Sequence, residues 1–267
     1  MSMPKVLAIR GSFPISREER FLTRRNRLPD ATEYRSPEQI APLYHWQLDL
    51  AQRTAAEVQE LEAQFLALGG QYESFVFLDP LENLLKWSED FGQAAWLKSD
   101  PGNLAIVPNR SDPFGGNAAQ LLLNTGLVVN SVSQELAAPA AGLQLTGSVW
   151  LKAGGPIAVP LSLGDGAGES YTGTAAAGAA WQRHWLTAKF SDIGQGTKIV
   201  FQFQLPADSN VDVFGAQLVA LPSPAPYTRT TLVSGFHPHC RFADSIFRHQ
   251  MAGFGQNNLR LSIVEFA

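Results

Sequence analysis

The central stretch of the chain, residues 81–230, consists of short segments in which apolar and polar residues alternate. One segment carries Val159, Leu161 and Leu163, and turn residues separate such segments at intervals of roughly ten residues. A period of two places successive side chains on opposite faces of a β-strand. Short strands at this spacing are typical of an all-β sandwich or jelly roll, and we predict one here.

The residues on either side of this stretch differ from it and are like each other. Residues 1–80 carry mixed charges, and residues 231–267 regain arginine and histidine before ending on an alternating apolar pattern. The stretch between them is instead rich in Gly, Ala, Ser and Thr. This arrangement predicts a discontinuous body, 1–80 with 231–267, that is interrupted by a module inserted at 81–230.

One helix is predicted in the first part of the body. Thr54 offers an N-cap hydroxyl and Glu57 follows three residues later, which is the capping-box pattern. Apolar residues then recur at spacings of three and four. Gly69-Gly70 can adopt the left-handed conformation that follows a helix end. We therefore expect a helix over 54–68.

Two strands are predicted on either side of this helix. Residues 44–50 alternate between apolar and polar side chains. Residues 72–78 repeat the pattern, with Phe75 and Phe77 on one face, and end at Asp79-Pro80. A strand–helix–strand unit of this kind is a core element, so its aromatic residues are assigned to packing.

Residues 10–35 are dense in arginine and show no sustained apolar period. One reading is a long solvated loop. The other is an arm that contacts neighbouring subunits, because guanidinium groups bind carboxylates in a bidentate geometry. Acidic residues lie among the arginines, which argues against a nucleic-acid surface. Under the second reading the subunit-interface candidates are Arg17, Arg20, Arg24, Arg25 and Arg27.

The bulk composition argues against several classes of function. The 267 residues carry a net charge of −4 and a pI of about 5.7, whereas nucleic-acid-binding domains are basic. The chain has no run of about 18 apolar residues, so no transmembrane helix is expected. The first residues lack the apolar core of a secretory signal, so none is expected. Cys240 is the only cysteine, so no internal disulfide is expected. These features favour synthesis in a reducing cytoplasm, without a nucleic-acid partner or membrane insertion.

No residue pattern supports catalysis. The chain has no Gly-x-Ser-x-Gly motif and no phosphate-binding loop. The carboxylates of the module show no spacing that singles out a glycosidase pair. We therefore expect no enzymatic activity and no cofactor.

Two groups of residues could be considered as metal ligands. The first group comprises His237, His239, Cys240 and His249. A structural zinc site needs about four ligands, usually in two pairs, and the second pair is missing. Oxygen ligands for a structural Ca²⁺ could come from Asp165, Asp208 and Asp212. No calcium-loop motif accompanies them, so we expect no metal.

Three stretches of the body follow a distinctive order. Tyr44–Leu48 precedes the acidic helix, Gly70–Pro80 follows the glycine turn, and Leu259–Glu265 closes the chain. This order resembles distal tail and minor tail proteins of long-tailed phages. The resemblance implies a tail-tube-like β-sandwich with one packed α-helix. It also implies a homo-oligomeric ring, with six copies, between a tail tube protein and a tail hub protein in the tail tip of the virion.

The module carries its own ordered set of motifs. It opens with Asn83-Leu84-Leu85 and a Ser-x-Asp-Phe-x-x-x-x-Trp segment, and it closes with Gly215-Ala216-Gln217-Leu218 and a Tyr-x-x-Thr exit that ends at Thr230. This order resembles a carbohydrate-binding-like jelly-roll module of phage tail and tail-fibre proteins. Two departures are Phe214, where tryptophan is common, and a proline-rich exit at 223–226.

The second resemblance implies a ligand, a glycan of the host cell surface. Aromatic rings suit the apolar faces of sugars, whereas Trp150 and Trp181 lie in strand motifs and are assigned to the core. The remaining ligand candidates are Tyr171, Trp87, Trp96 and Trp185. Two alternatives to a structural tail-tip role remain, a receptor-binding adhesin centred on the jelly roll and a polysaccharide depolymerase.

Overall fold

A computed structural model describes residues 6–7, 14–21, 23–37 and 43–266. Arg10, at the start of the arginine-rich segment, lies outside the described residues. Within these ranges the first part of the chain forms β1 (Ile15–Arg20), β2 (Thr23–Arg27), β3 (Glu33–Pro37), β4 (Leu43–Arg53), α1 (Ala55–Ala67) and β5 (Phe75–Leu78).

The central part is composed almost entirely of strands. A short 3₁₀ helix, Pro101–Asn103, follows the first of them. The strands are β6 (Leu97–Lys98), β7 (Leu104–Arg110), β8 (Ala119–Asn124), β9 (Asn130–Leu136), β10 (Gln144–Lys152), β11 (Ile157–Gly164), β12 (Ser170–Ala177), β13 (Gln182–Lys189), β14 (Ile199–Leu205) and β15 (Ser209–Val219). The last part of the chain adds β16 (Phe236–Phe242), β17 (His249–Gly253) and β18 (Gln256–Glu265).

The described chain divides into two compact units. One contains residues 6–7 and 78–236, and the other contains the described parts of 9–77 together with 237–266. We call the first the sandwich unit and the second the body unit. Val6 and Leu7 belong to the sandwich unit, although the sequence pattern assigned all of residues 1–80 to the body. No helix within the described ranges has the length and apolar character needed to cross a membrane.

The sandwich unit contains two five-stranded antiparallel sheets. Their strand orders are β13-β10-β15-β8-β7 and β12-β11-β14-β9-β6. The alternation seen in the sequence is the alternation of burial: Phe201 and Phe203 in β14 are fully buried, whereas Gln202 between them is partly exposed. The prediction of an all-β sandwich is therefore confirmed.

The beginning and end of the sandwich unit are hydrogen-bonded to each other. The amide of Asp79 donates to the carbonyl of Gly235 at 2.8 Å. Asn83 is completely buried, and its side-chain amide donates to the Ala216 carbonyl at 2.9 Å. Its Oδ1 accepts the amide of Leu218 at 3.0 Å. The Asn-Leu-Leu motif thus fastens the incoming chain to β15.

The body unit is built on a six-stranded sheet with the order β1-β4-β18-β16-β5, and β17 pairs with β18. Trp46 in β4 is fully buried and lies 4.8 Å from Phe77, ring centre to ring centre. Helix α1 packs on this sheet through Phe65, whose ring centre lies 5.0 Å from that of Phe242. The strand predicted at 44–50 is confirmed. The strand predicted at 72–78 is shorter, and Tyr72 is 88% exposed.

The helix prediction is confirmed in its details. Thr54 is the N-cap, its Oγ1 accepts the Glu57 amide at 3.3 Å, and the Glu57 carboxylate accepts the Thr54 amide at 2.9 Å. Gly69 and Gly70 have φ values of 60° and 64°, which place both in the left-handed region expected after a helix end.

The arginine-rich segment is not a loop in the part that the structure describes. β1 joins the body sheet along β4, and β2 and β3 form a separate two-stranded hairpin, which we call the arm (23–37). Every residue of β2 and β3 is exposed. The sequence shows no apolar period here because neither face of the hairpin is buried.

Candidate functional site

Trp96 is part of the core and not a ligand platform. It is 1% exposed, and its ring packs against Phe91 with the ring centres 5.0 Å apart. Its indole N–H donates to the carbonyl of Trp87 at 3.0 Å. The assignment of Trp96 to glycan binding is therefore wrong, since no face of the ring is available for stacking.

Trp87 is held by the segments that close the sandwich unit. Its φ of 52° lies in the left-handed region, and its amide donates to the carbonyl of Thr231 at 2.9 Å. Its carbonyl receives the Trp96 indole, so both backbone polar groups are satisfied by the fold. The side chain is partly buried, which leaves it a small accessible surface.

Tyr171, in β12, is hydrogen-bonded to the preceding loop and to the end of β13. Its hydroxyl lies 2.7 Å from the carbonyl oxygen of Lys189 and 2.9 Å from Oε1 of Glu169. The hydrogen bond to Glu169 raises the pKa of Tyr171 above its ordinary value. The amide of Ser191 also donates to Glu169 and lowers the pKa of that carboxyl. These contacts fix the ring of Tyr171, which packs edge-on against Phe190.

Trp185 is the sequence candidate that remains open to solvent. It is 57% exposed and lies opposite Ser148 in the β10–β13 ladder. Beside it is a cavity of about 230 Å³ that is also lined by Thr174, Arg183 and His184. Burial lowers the pKa of His184, so the imidazole beside the cavity is held towards its neutral form.

A covered aromatic cluster adjoins Trp185 on the same sheet. Trp150 packs edge-on against Tyr227 at 5.2 Å, and the guanidinium of Arg183 lies 4.5 Å from the centre of the Trp150 ring. Arg183 also donates to the carbonyl of Ala225 at 2.7 Å, which fastens the proline-rich exit over the cluster. Burial raises the pKa of Tyr227 well above its ordinary range. Trp150 therefore has a packing role.

A charged group that the sequence did not reveal lies on the outer surface of this sheet. Asp212 is 7% exposed, and its Oδ1 accepts a hydrogen bond from Nε of Arg110 at 3.0 Å. The ammonium of Lys152 lies 4.0 Å from Oδ2. These side chains and Asn210 line a cavity of about 300 Å³. Residues 110, 152 and 212 come together through the pairing of strands that are distant in the sequence. No local sequence motif therefore predicts this group.

The residues considered as metal ligands do not come together. Asp212 is paired with cations, whereas Oδ1 of Asp165 accepts the amides of Ala167, Gly168 and Glu169 at 2.8, 3.0 and 3.0 Å. In the body unit, Nδ1 of His237 lies 2.9 Å from Oε1 of Glu265. No group of three or more histidine, cysteine or carboxylate side chains among the described residues has the arrangement of a metal site.

The five arginines considered as interface residues divide into two sets. Arg17 and Arg20 lie on β1, and the guanidinium of Arg17 lies 5.0 Å from the centre of the Tyr44 ring. The other three, Arg24, Arg25 and Arg27, lie on the exposed arm. Arg17 is half-buried, whereas Arg20 and the three arginines of the arm are exposed.

Comparisons with solved structures find similarity over about half of the chain. A family 61 carbohydrate-binding module in complex with β-1,4-galactotriose shares 18% identity, over 52% of this chain and 98% of that chain, with a TM-score of 0.38. A family 11 module from Clostridium thermocellum, in complex with a mixed-linked tetrasaccharide, shares 12% identity over 54% and 98%, with a TM-score of 0.38. The enzymatically active domain of tailspike protein 4 of bacteriophage CBA120 shares 10% identity over 54% and 22%, with a TM-score of 0.42.

No family model matches the chain, and no curated protein matches it. Because these identities and TM-scores are low, the two five-stranded sheets described above are the evidence that the central part of the chain is a β-sandwich.

Proposed function

We propose that this protein is a structural component of the tail tip of a tailed phage, and that its body unit forms a distal-tail-like ring between the tail tube protein and the tail hub protein. The observation that carries the proposal is the arm. All ten residues of β2 and β3 are exposed, and the two strands form a sheet of their own. An isolated two-stranded hairpin is marginally stable in water. Burial against neighbouring subunits would supply the missing stabilisation.

The sequence order of the body supports the choice of particle. The residues that resemble distal tail and minor tail proteins form β4, the glycine turn with β5, and β18. These elements make up much of the body sheet and carry its aromatic core. A shared order of core elements is a reason to expect a shared assembly, although function depends on surfaces rather than on the fold alone.

Location in the particle tests this proposal. An antibody against the sandwich unit, applied to intact virions and followed by electron microscopy, should label the distal end of the tail. Virions treated with preimmune antibody serve as the control. Labelling of the capsid or along the tail shaft, or no labelling of particles that contain the protein by mass spectrometry, would contradict the proposal.

A second role, contact with host surface glycans by the sandwich unit, is supported by Trp185. An exposed indole beside a small polar cavity offers an apolar face for a sugar ring, and Thr174 can hydrogen-bond its hydroxyl groups. One such contact is weak, and several copies in a ring would raise the avidity. No catalytic step is part of this role.

Binding to host polysaccharide tests the second role. Trp185→Ala should weaken retention on immobilised host polysaccharide by at least about tenfold, the loss expected when one stacked ring carries much of the contact. Ile193→Ala is the control, because Ile193 is another exposed apolar residue of the same unit, at 84% exposure. Equal retention of Trp185→Ala and wild type would exclude this site. Release of reducing sugar would favour the depolymerase alternative.

A further inference from the structure

We infer that the arm of one copy docks on the helix α1 surface of the next copy, so that the ring closes through a head-to-tail contact. This inference rests on the proposed ring and names the two surfaces that would form it. Both surfaces lie in the body unit. The arm is rich in arginine, and the α1 surface is rich in glutamate.

One face of the arm has an excess of positive charge. Arg25 lies directly opposite Arg35 in the β2–β3 ladder, and Arg27 lies opposite Glu33 on the same face. Like charges at directly opposed strand positions destabilise a hairpin. Glu33 is the only carboxylate among these four residues, and it is engaged by Arg35 at 2.9 Å and by Arg25 at 3.8 Å. Arg27 has no carboxylate partner within the described ranges.

The α1 surface has the opposite charge. From Thr54 to Leu85 the chain contains no lysine or arginine, whereas α1 alone carries Glu57, Glu60 and Glu62. Glu57 is committed to the capping box and to Arg53. Glu60 and Glu62 have no cationic partner in the part of the chain that the structure describes, and Glu60 is exposed.

Exposed apolar side chains are present on the arm and next to α1. On the arm, Tyr34 is 63% exposed and pairs with Asn26, which places it on the face opposite to Arg25 and Arg27. On the helix side, Leu66 is 70% exposed and Tyr72, just after α1, is 88% exposed. Protein interfaces combine aromatic and apolar anchors with arginine, and burial of the anchors removes water from around the charges. The α1 surface therefore offers apolar anchors beside its carboxylates.

The charges also decide which surfaces can meet. Contact between two arms would bring arginines together, and contact between two α1 surfaces would bring glutamates together, so each self-pairing is disfavoured. Contact between an arm and an α1 surface pairs guanidinium forks with carboxylates. Two different patches on each protomer generate a closed ring or an open filament rather than a two-fold dimer.

Reversing the charges tests this contact in the full-length chain. The arm variant is R25E/R27E and the helix variant is E60R/E62R. Each should raise the concentration at which half the protein is assembled by at least about tenfold, because it places like charges across the contact. Sedimentation velocity at low ionic strength measures this concentration. The control K86E/K189E makes the same charge change as the arm variant on exposed lysines of the sandwich unit and should assemble like the wild type.

Mixing the two variants gives the sharpest result. In an equimolar mixture the acidic arm of one variant faces the basic helix of the other, and the unaltered arm faces the unaltered helix, so assembly should return. Circular dichroism establishes that each variant is folded. Wild-type assembly of either variant alone, or a mixture of folded variants that stays monomeric, would overturn the inference and leave a ring built on other surfaces. A wild-type chain that is monomeric at every concentration would instead contradict the proposed ring itself.

Discussion

The sandwich unit and the arm differ in whether their arginine side chains have partners within the chain. In the sandwich, Arg183 stacks on Trp150 and donates to the Gln217 side chain and the Ala225 carbonyl. In the arm, Arg27 has no carboxylate partner among the described residues, and all of β2 and β3 is exposed. Arg183 of the sandwich thus finds its partners within one chain. This difference is the reason for proposing that the arm contacts another copy of the chain.

The largest expected effect separates two tryptophans of the same unit. Trp96→Ala should destabilise the sandwich by about 4 kcal/mol, because a fully buried ring leaves a cavity. Trp185→Ala should change the stability by less than about 0.5 kcal/mol, since that ring is mostly in solvent. Hydrogen exchange of the β14 amides measures both. Equal costs for the two substitutions would contradict the assignment of Trp96 to the core.

A smaller effect is expected where the two sheets of the sandwich meet. A Cβ on Gly147 would lie 2.5 Å from the ring of Phe201, so Gly147→Ala should cost about 2 kcal/mol by overpacking. Gly154→Ala is the matched control, because no atom lies within 4 Å of its added methyl group. Urea unfolding followed through sandwich amides reports the difference. A neutral Gly147→Ala would mean that the sheets are less closely packed than described.

The capping box of α1 makes a more modest contribution in the body unit. Thr54→Ala removes the hydroxyl that accepts the Glu57 amide and should cost about 1 kcal/mol. Thr54→Ser keeps the hydroxyl and should remain close to the wild type. Thermal unfolding monitored by helical circular dichroism compares them. A serine variant as unstable as the alanine variant would assign the loss to the methyl group instead.

The smallest effect is a pH dependence at Asp112. Burial alone would raise the pKa of this carboxyl, but hydrogen bonds from the amides of Ala118, Phe114 and Gly116 outweigh it and hold the pKa below its ordinary value. Because the folded pKa is depressed, the stabilisation is complete above the unfolded value of about 3.9 and is lost as the pH falls through the folded value.

Asp112→Asn should therefore lower the Tm of the sandwich at pH 7 and make no difference once the pH is below the folded pKa. Asp208→Asn is the control at an exposed carboxyl. A difference between Asp112→Asn and wild type that is constant from pH 7 to the acid range would show that the carboxylate charge is not the cause.

Local patterns predicted the parts of the fold that local physics decides. The Thr54–Glu57 capping box and the glycine stop are contained within one helix, and the alternation in β14 follows from one strand with a buried face. The arm escaped prediction because a hairpin with two exposed faces has no apolar period. Its strand character became visible only from the β2–β3 pairing.

The candidate site depended on contacts between distant residues. Trp96 and Trp185 are equivalent on composition alone, and only the packing of residues 87–96 against β14 distinguishes the buried ring from the exposed one. The group around Asp212 forms because β10 and β15 pair, which places Lys152 opposite Asp212. Groups of residues that come together through packing or strand pairing cannot be predicted from their spacing in the sequence.

A shortened chain tests most directly the claim that the body unit drives assembly and the sandwich is a self-contained insertion. Asp79 and Gly235 are hydrogen-bonded at 2.8 Å, so a short Gly-Ser linker can replace residues 81–230. We predict that this chain folds and forms rings with the same copy number as the full-length protein, as measured by sedimentation velocity. A shortened chain that is insoluble, or that stays monomeric where the full-length protein assembles, would contradict the claim.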